Sequence, residues 1–337
     1  MTTEEFRTLL ASWCAAEAED SLSDDFSKIR SLTDFLEQVL YVKYEPAEVG
    51  NHGEFGVRLA EWIGSAESEA DRRALYLLLG RLVFLSRDQM KAGYRTAYSR
   101  NIASWLMDVE GLPFFGTDTE ARLNAAVEKT AFTEVTDSFG LANFLRWNNV
   151  AGHGSRFTWE QHLSTLDSNV FMQNVMRFGT GTPRRYLVLL EDFVGSGNQM
   201  AKAVHLACSL PNVERVLLCP IVICPDGSEY ARELANRCGK LDYSPVMELP
   251  EEAFISEDET PDEHKHHGLI RNALLSVHTL VKGTPDSWPQ ETSAFGYEET
   301  GAVFCKFDNC PDNSVPVLHH RSDLGWSPLF QRMARDA

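Results

Sequence analysis

A short apolar run, Tyr186-Leu-Val-Leu-Leu190, leads directly into two acids, Glu191 and Asp192, and then into the small-residue turn Gly195-Ser-Gly197. No other segment constrains the fold of this chain as strongly. An uncharged run of this length suits a strand buried on both faces of a parallel sheet, where alternation of polar and apolar residues is lost. Asn198-Gln-Met-Ala-Lys-Ala-Val-His-Leu-Ala207 then reads as a helix, so the segment is a strand-turn-helix unit. In open α/β sheets, ligands gather at the carboxyl ends of the strands.

The residue types at that end point to a particular chemistry. Successive backbone N–H groups in a tight turn, together with the positive end of the following helix, make a cradle for a phosphate. Two carboxylates just before the turn can accept hydrogen bonds from vicinal sugar hydroxyls. Placing them at the end of an apolar strand costs desolvation free energy that a ligand, a metal or protein donors must offset. The alternative reading of the same residues is an ordinary strand-turn-helix connection.

With Glu191-Asp192 as an acidic pair, Phe193-Val194 as an apolar pair and Gly195-Ser-Gly-Asn-Gln199 as a phosphate turn, the chain resembles the phosphoribosyltransferase-like superfamily. Gly195 stands where that superfamily usually has Ala or Thr, and Gln199 where it usually has Thr or Ser. The variant is similar to the divergent members found in bacterial conflict (antiviral) systems, some of them encoded beside retrons. Gly301-Ala-Val-Phe-Cys-Lys-Phe-Asp-Asn309, Pro311-Asp-Asn-Ser-Val-Pro-Val-Leu318 and Leu324-Gly-Trp-Ser-Pro-Leu-Phe330 fit the resemblance, which covers roughly residues 126–337.

The resemblance implies that Glu191 and Asp192 hold the ribose 2′- and 3′-hydroxyls, that Gly195, Ser196, Gly197, Asn198 and Gln199 bind the 5′-phosphate, and that Mg²⁺ bridges pyrophosphate and ribose. The ligand would be phosphoribosyl diphosphate or a nucleotide. Arg184 and Arg185, after Gly179-Thr-Gly-Thr-Pro183, are candidates to contact pyrophosphate, but no pyrophosphate loop is recognised between residues 130 and 180. Three functions stay open: a phosphoribosyltransferase-like effector or regulator in antiphage defence, a non-catalytic nucleotide sensor on the same fold, and a nucleotide or N-glycosidic-bond hydrolase.

Composition bounds the rest. At 337 residues and 43% hydrophobic, the chain can bury a large core and is expected to form two domains. Its seven cysteines lack regular spacing, which argues for reduced thiols. Cys305 and Cys310 with His264, His266, His267, His319 and His320 are metal-ligand types without a zinc spacing. No apolar run approaches a membrane span and Met1-Thr-Thr-Glu-Glu5 lacks the form of a signal peptide, so a cytoplasmic protein is expected. The net charge of −18, from 31 basic and 49 acidic residues, repels free nucleic acid from the molecule as a whole. Arg87, Lys91 and Arg95 form an i, i+4, i+8 basic stripe. The stripe is either a solvated face or a contact for an RNA or protein partner.

The N-terminal part reads as helices. Thr2-Thr-Glu-Glu5 and Ser86-Arg-Asp-Gln89 have capping-box form. Residues 74–85 are apolar enough to be interior, and Met90, Tyr94, Tyr98, Ile102, Trp105 and Leu106 recur at helical spacing. Turn residues in Gly111-Leu-Pro-Phe-Phe-Gly-Thr-Asp118 suggest a boundary, giving a helical domain over residues 1–125 and an α/β domain over 126–337. Asp137 and Ser138 read as capping residues before a helix. From residue 186 the expected order is strand 186–190, helix 199–210, strand 213–223, helix 228–238, strand 243–248, an acidic solvated loop at 251–263, helix 269–281 and strand 302–307. The fold class is therefore α/β, a phosphoribosyltransferase-like (Rossmann-like) mainly parallel sheet with flanking helices, preceded by a helical region.

Overall fold

A computed structural model describes residues 1–15, 22–46, 53–150, 184–261, 263–284 and 293–332. The chain divides into two compact units, Met1–Arg87 with Pro250–Ala337, and Asp88–Leu249. The division differs from a break near residue 125, which falls inside the second unit. The strands are β1 (Val83–Leu85), β2 (Thr130–Glu134), β3 (Tyr186–Val194), β4 (Arg215–Ile223), β5 (Leu241–Tyr243), β6 (Met247–Glu248) and β7 (Phe304–Lys306).

In the first unit, helices Thr3–Ala15, Ser23–Val39, Phe55–Ser65 and Glu69–Leu79 precede β1. The first begins with the expected capping box: Thr2 N–H donates to Glu5 Oε2 at 2.7 Å, and Glu5 N–H to Thr2 Oγ1 at 3.2 Å. Part of the apolar segment after residue 74 becomes a strand, because β1 pairs in parallel with β7 and sets Phe84 opposite Cys305. The C-terminal stretch supplies the core of this unit. Trp326, Leu329 and Phe330 are buried, Trp62 Nε1–H donates to the Val317 carbonyl at 2.7 Å, and Phe330 meets the rings of Tyr41, Tyr44, Phe55 and Phe84. The acid-rich segment after residue 250 is mostly exposed, as expected, although Ala253 and Ile255 are buried and Glu263 pairs with Arg271.

The second unit holds a parallel sheet in the order β2-β3-β4-β5, with β6 also pairing on β4. The expected helices appear at Asn198–Ser209 and Pro225–Arg237, and the single strand expected over 243–248 is two short ones. Leu187, Leu189, Val216 and Leu218 form one apolar layer with Met200, Val204, Ala207, Ala231 and Leu234 from those helices. The other face is met by helical segments Arg87–Thr96, Ala97–Ile102 and Ala103–Val109, the middle one a π-helical turn. Trp105 contacts Tyr186 edge-on at 5.9 Å. Inside the π turn, Asn101 donates to the Ser244 carbonyl, Ser244 Oγ and the Pro245 carbonyl at 3.0, 3.0 and 2.9 Å, which fixes the link between β5 and β6.

Candidate functional site

β3 runs farther than the sequence suggested, so the acids lie within it. Glu191 registers with Pro220, and Phe193 and Val194 with Val222 and Ile223 of β4. Glu191 and Asp192 are 4% and 3% exposed. Their desolvation is offset by the loop that follows β2. Thr136 N–H donates to Glu191 Oε2 at 2.7 Å and Thr136 Oγ1–H to Glu191 Oε1 at 2.6 Å. Ser138 Oγ–H reaches Glu191 Oε1 at 3.3 Å and Asp192 Oδ1 at 2.8 Å, and Phe193 N–H donates to Asp192 Oδ1 at 2.9 Å. Burial, and then the charge of Asp192, push the Glu191 carboxyl well above the usual range.

No local pattern in the sequence marks Thr136, and Ser138, which reads as a helix cap, bonds to the acids instead. The helix Leu141–Trp147 is instead capped by Glu134, whose Oε2 accepts from Leu141 N–H at 2.8 Å. The signal that would have found them is topological: pairing of β2 beside β3 brings their carboxyl ends together. The loop itself is anchored by Tyr94, whose hydroxyl donates to the Phe139 carbonyl and whose ring stacks on Phe139 at 4.6 Å.

The turn after β3 also takes a defined shape. Gly197 has φ +91° and caps helix Asn198–Ser209 from the left-handed region, a conformation that glycine adopts without the penalty of a Cβ. Gly195 and Gly197 are buried, Ser196 is half-buried, and Asn198 and Gln199 are exposed at the first helical positions. The first turn of helix Pro225–Arg237 lies against this turn: a β-carbon at Gly197 would stand 3.3 Å from Tyr230 and 3.5 Å from Gly227 Cα. The structure therefore brings together the acids, the glycine turn and a helix N-terminus, whose N–H groups and dipole favour an anion.

Arg184 and Arg185 are not part of this assembly. They stand at the amino end of β3, the length of the strand away from Glu191, roughly 20 Å at about 3.3 Å per residue. Arg184 donates to the Glu128 and Thr130 carbonyls. Arg185 is bidentate to Glu214 at 2.7 Å and also meets Glu110. Residues 179–183 lie outside the described residues. In the basic stripe, Arg87 pairs with Glu45 at 3.2 Å and lies over Phe307, Lys91 lies over Trp147 at 5.9 Å, and Arg95 is exposed.

All seven cysteines are free thiols. Burial pushes the Cys305 thiol well up, and no group of three or more His, Cys, Asp or Glu side chains that could hold a metal ion occurs among the described residues. No helix among them is long and apolar enough to cross a membrane.

A parallel α/β sheet with paired acids near the carboxyl end of β3, followed by a glycine turn opening a helix, is consistent with a phosphoribosyltransferase-like fold. The family model PRTase-CE matches residues 59–332, and the chain belongs to that family. No curated protein and no solved structure matches it.

Proposed function

We propose that the carboxyl end of β3 binds the ribose 5-phosphate part of phosphoribosyl diphosphate or of a nucleotide. The observation that supports this most directly is the buried Glu191-Asp192 pair near the carboxyl end of β3, a few residues before the left-handed Gly197 that opens a helix. The turn and the first N–H groups of helix Asn198–Ser209 would take the phosphate, and Asp192 would accept from a ribose hydroxyl. Mg²⁺ keeps several waters and takes one or two carboxylates plus phosphate oxygens, so it needs no protein cage. Asp192 is the residue that would hold it, and its contribution would be to neutralise charge on a diphosphate. Through its resemblance to members from bacterial conflict systems, the protein is read as an effector or regulator of antiphage defence.

Calorimetry tests the ligand. The wild type is expected to bind phosphoribosyl diphosphate or a nucleoside monophosphate, with Mg²⁺ favouring the diphosphate. Asp192→Asn should weaken binding by about 1.5–3 kcal/mol, the range for a hydrogen bond to a charged group, while the fold persists. Release of pyrophosphate would assign a transferase, and binding without release a sensor. Absence of heat with all of these ligands and Mg²⁺ would sink the reading. Phage challenge of cells carrying the wild type or Asp192→Asn tests the defence role, which predicts protection only with the former.

A further inference from the structure

A second concavity in the same unit lies away from the acids. It is a cavity of about 470 Å³ between the helical segments Ala97–Ile102 and Ala103–Val109 and the chain at 242–246, over Leu217 of β4. Small-ligand pockets span roughly 300–1,000 Å³. Leu217 registers with Val188 of β3, which lies roughly 13 Å before Asp192 at about 3.3 Å per residue. The π turn that carries Arg100 and Asn101 replaces the tighter α-helical turn, an irregularity that recurs at functional sites.

The two ends of the cavity differ in charge. Asn101 holds Ser244 and Pro245 beside Arg100, and one turn farther on Trp105 Nε1–H donates to Asp242 Oδ2 at 2.7 Å. Arg100 and Ser244 therefore mark one end, and Asp242 and Asp108 the other. Asp242 is already paired with Arg215, which leaves Asp108 as the acceptor. Arg100, Ser104 and Asp108 stand at i, i+4 and i+8 along the wall, about 12 Å from first to last at 1.5 Å per residue. All three are exposed, and none has a hydrogen-bond or ion-pair partner among the described residues. A complementary ligand carries an anion at one end, N–H donors at the other and an apolar, flat body between. An amino acid, with its ammonium and carboxylate on one carbon, is too short to reach both ends.

We propose that this cavity is a second ligand site, for a nucleoside monophosphate whose base carries an amino group. The phosphate lies on Arg100, the ribose along Ser104, and the base over Leu217 and Val246 with its donors toward Asp108. Guanine suits it best, because its N1–H and amino group offer two donors to one carboxylate. The proposal does not depend on what the carboxyl end of β3 binds.

Calorimetry with guanosine 5′-monophosphate in Asp192→Asn protein tests it, since that variant weakens the site at β3. Binding is expected to persist there, and adding Arg100→Gln should lower affinity about tenfold or more. Inosine 5′-monophosphate, which lacks the amino group, should bind about tenfold more weakly than the guanosine nucleotide, and Asp108→Asn should erase that difference. Loss of all binding in Asp192→Asn overturns the proposal, as does affinity untouched by Arg100→Gln. Equal affinity for the two nucleotides in protein with Asp108 intact overturns the assignment of the base. Ribose 5-phosphate, which has no base, reports on β3 alone. Its failure to bind the wild type while the Arg100-dependent binding persists would remove the reading of β3 and leave this one standing.

Discussion

A β-carbon added at Gly227 would overlap the carbonyl oxygen of Gly195. Helix Pro225–Arg237 thus packs its backbone directly on the turn proposed to hold phosphate, and the absent side chain is what permits the approach. Gly227→Ala should push the turn away from the helix, at about 1–3 kcal/mol of stability, typical of overpacking, and with loss of phosphate-ligand affinity. Urea unfolding and calorimetry check both. An alanine variant with wild-type stability and affinity would show that the turn yields freely. Gly197→Val should be worse than Gly197→Asn, because a β-branched residue at φ +91° is strained whereas Asn tolerates that region.

In the first unit, the Arg58 guanidinium lies 5.5 Å from the Tyr44 ring, 5.8 Å from Phe55 and 5.6 Å from Phe330. Its Nε and one terminal nitrogen have no hydrogen-bond partner among the described residues, and burial lowers its pKa. Cation–π attraction offsets part of the desolvation. Replacing a buried charge by an apolar group of similar size is often close to neutral, so Arg58→Leu should change stability by about 1 kcal/mol or less. Arg58→Ala should cost about 2 kcal/mol or more through the cavity left among the rings. Urea midpoints of the two variants test the order, and the reverse order would assign the arginine a charge-dependent role.

His319 is buried and held neutral: burial, reinforced by Arg332, lowers its pKa from 6.5 to about 3. Because the unfolded chain then takes up a proton that the folded chain refuses, stability falls as pH drops below about 6.5 toward 3. The slope is at most about 1.4 kcal/mol per pH unit. His320, lowered from 6.5 to about 4 by burial, adds to it between those two pH values. Glu191 acts with the opposite sign, since its raised pKa costs stability as pH rises above 4.5. The difference between wild type and His319→Gln isolates the histidine. That variant should lose less stability than the wild type between pH 6.5 and 5, and parallel curves would exclude His319 as the source.

The basic stripe should matter little for folding. Arg87 and Glu45 are 62% and 61% exposed in their pair, and exposed pairs contribute at most about 1 kcal/mol. Changing Arg87, Lys91 and Arg95 together to Glu should lower the melting temperature by only a few degrees, roughly what 1–2 kcal/mol produces. A collapse of the fold would show that the contacts with Phe307 and Trp147 are structural anchors.

Local signals in the sequence determined the elements around the site. The uncharged run before Glu191, the small residues at 195–197 and the helical spacing after them already specify strand, turn and helix, because burial and φ preference act residue by residue. The Thr2–Glu5 cap was legible for the same reason. Tertiary structure decided what no local pattern carries. The extension of β3 through Val194 depends on β4 alongside it. The clamp of Thr136 and Ser138 on the acids depends on β2 becoming β3's neighbour, although these residues lie more than fifty positions apart in the chain. Parallel pairing brings strand ends together across long connections, so the partners of a strand-end carboxylate are set by sheet order rather than by adjacent sequence. The same reasoning applies to Arg184 and Arg185. They adjoin the acids' strand in sequence, yet an extended chain carries them to its far end and into ion pairs and backbone contacts there.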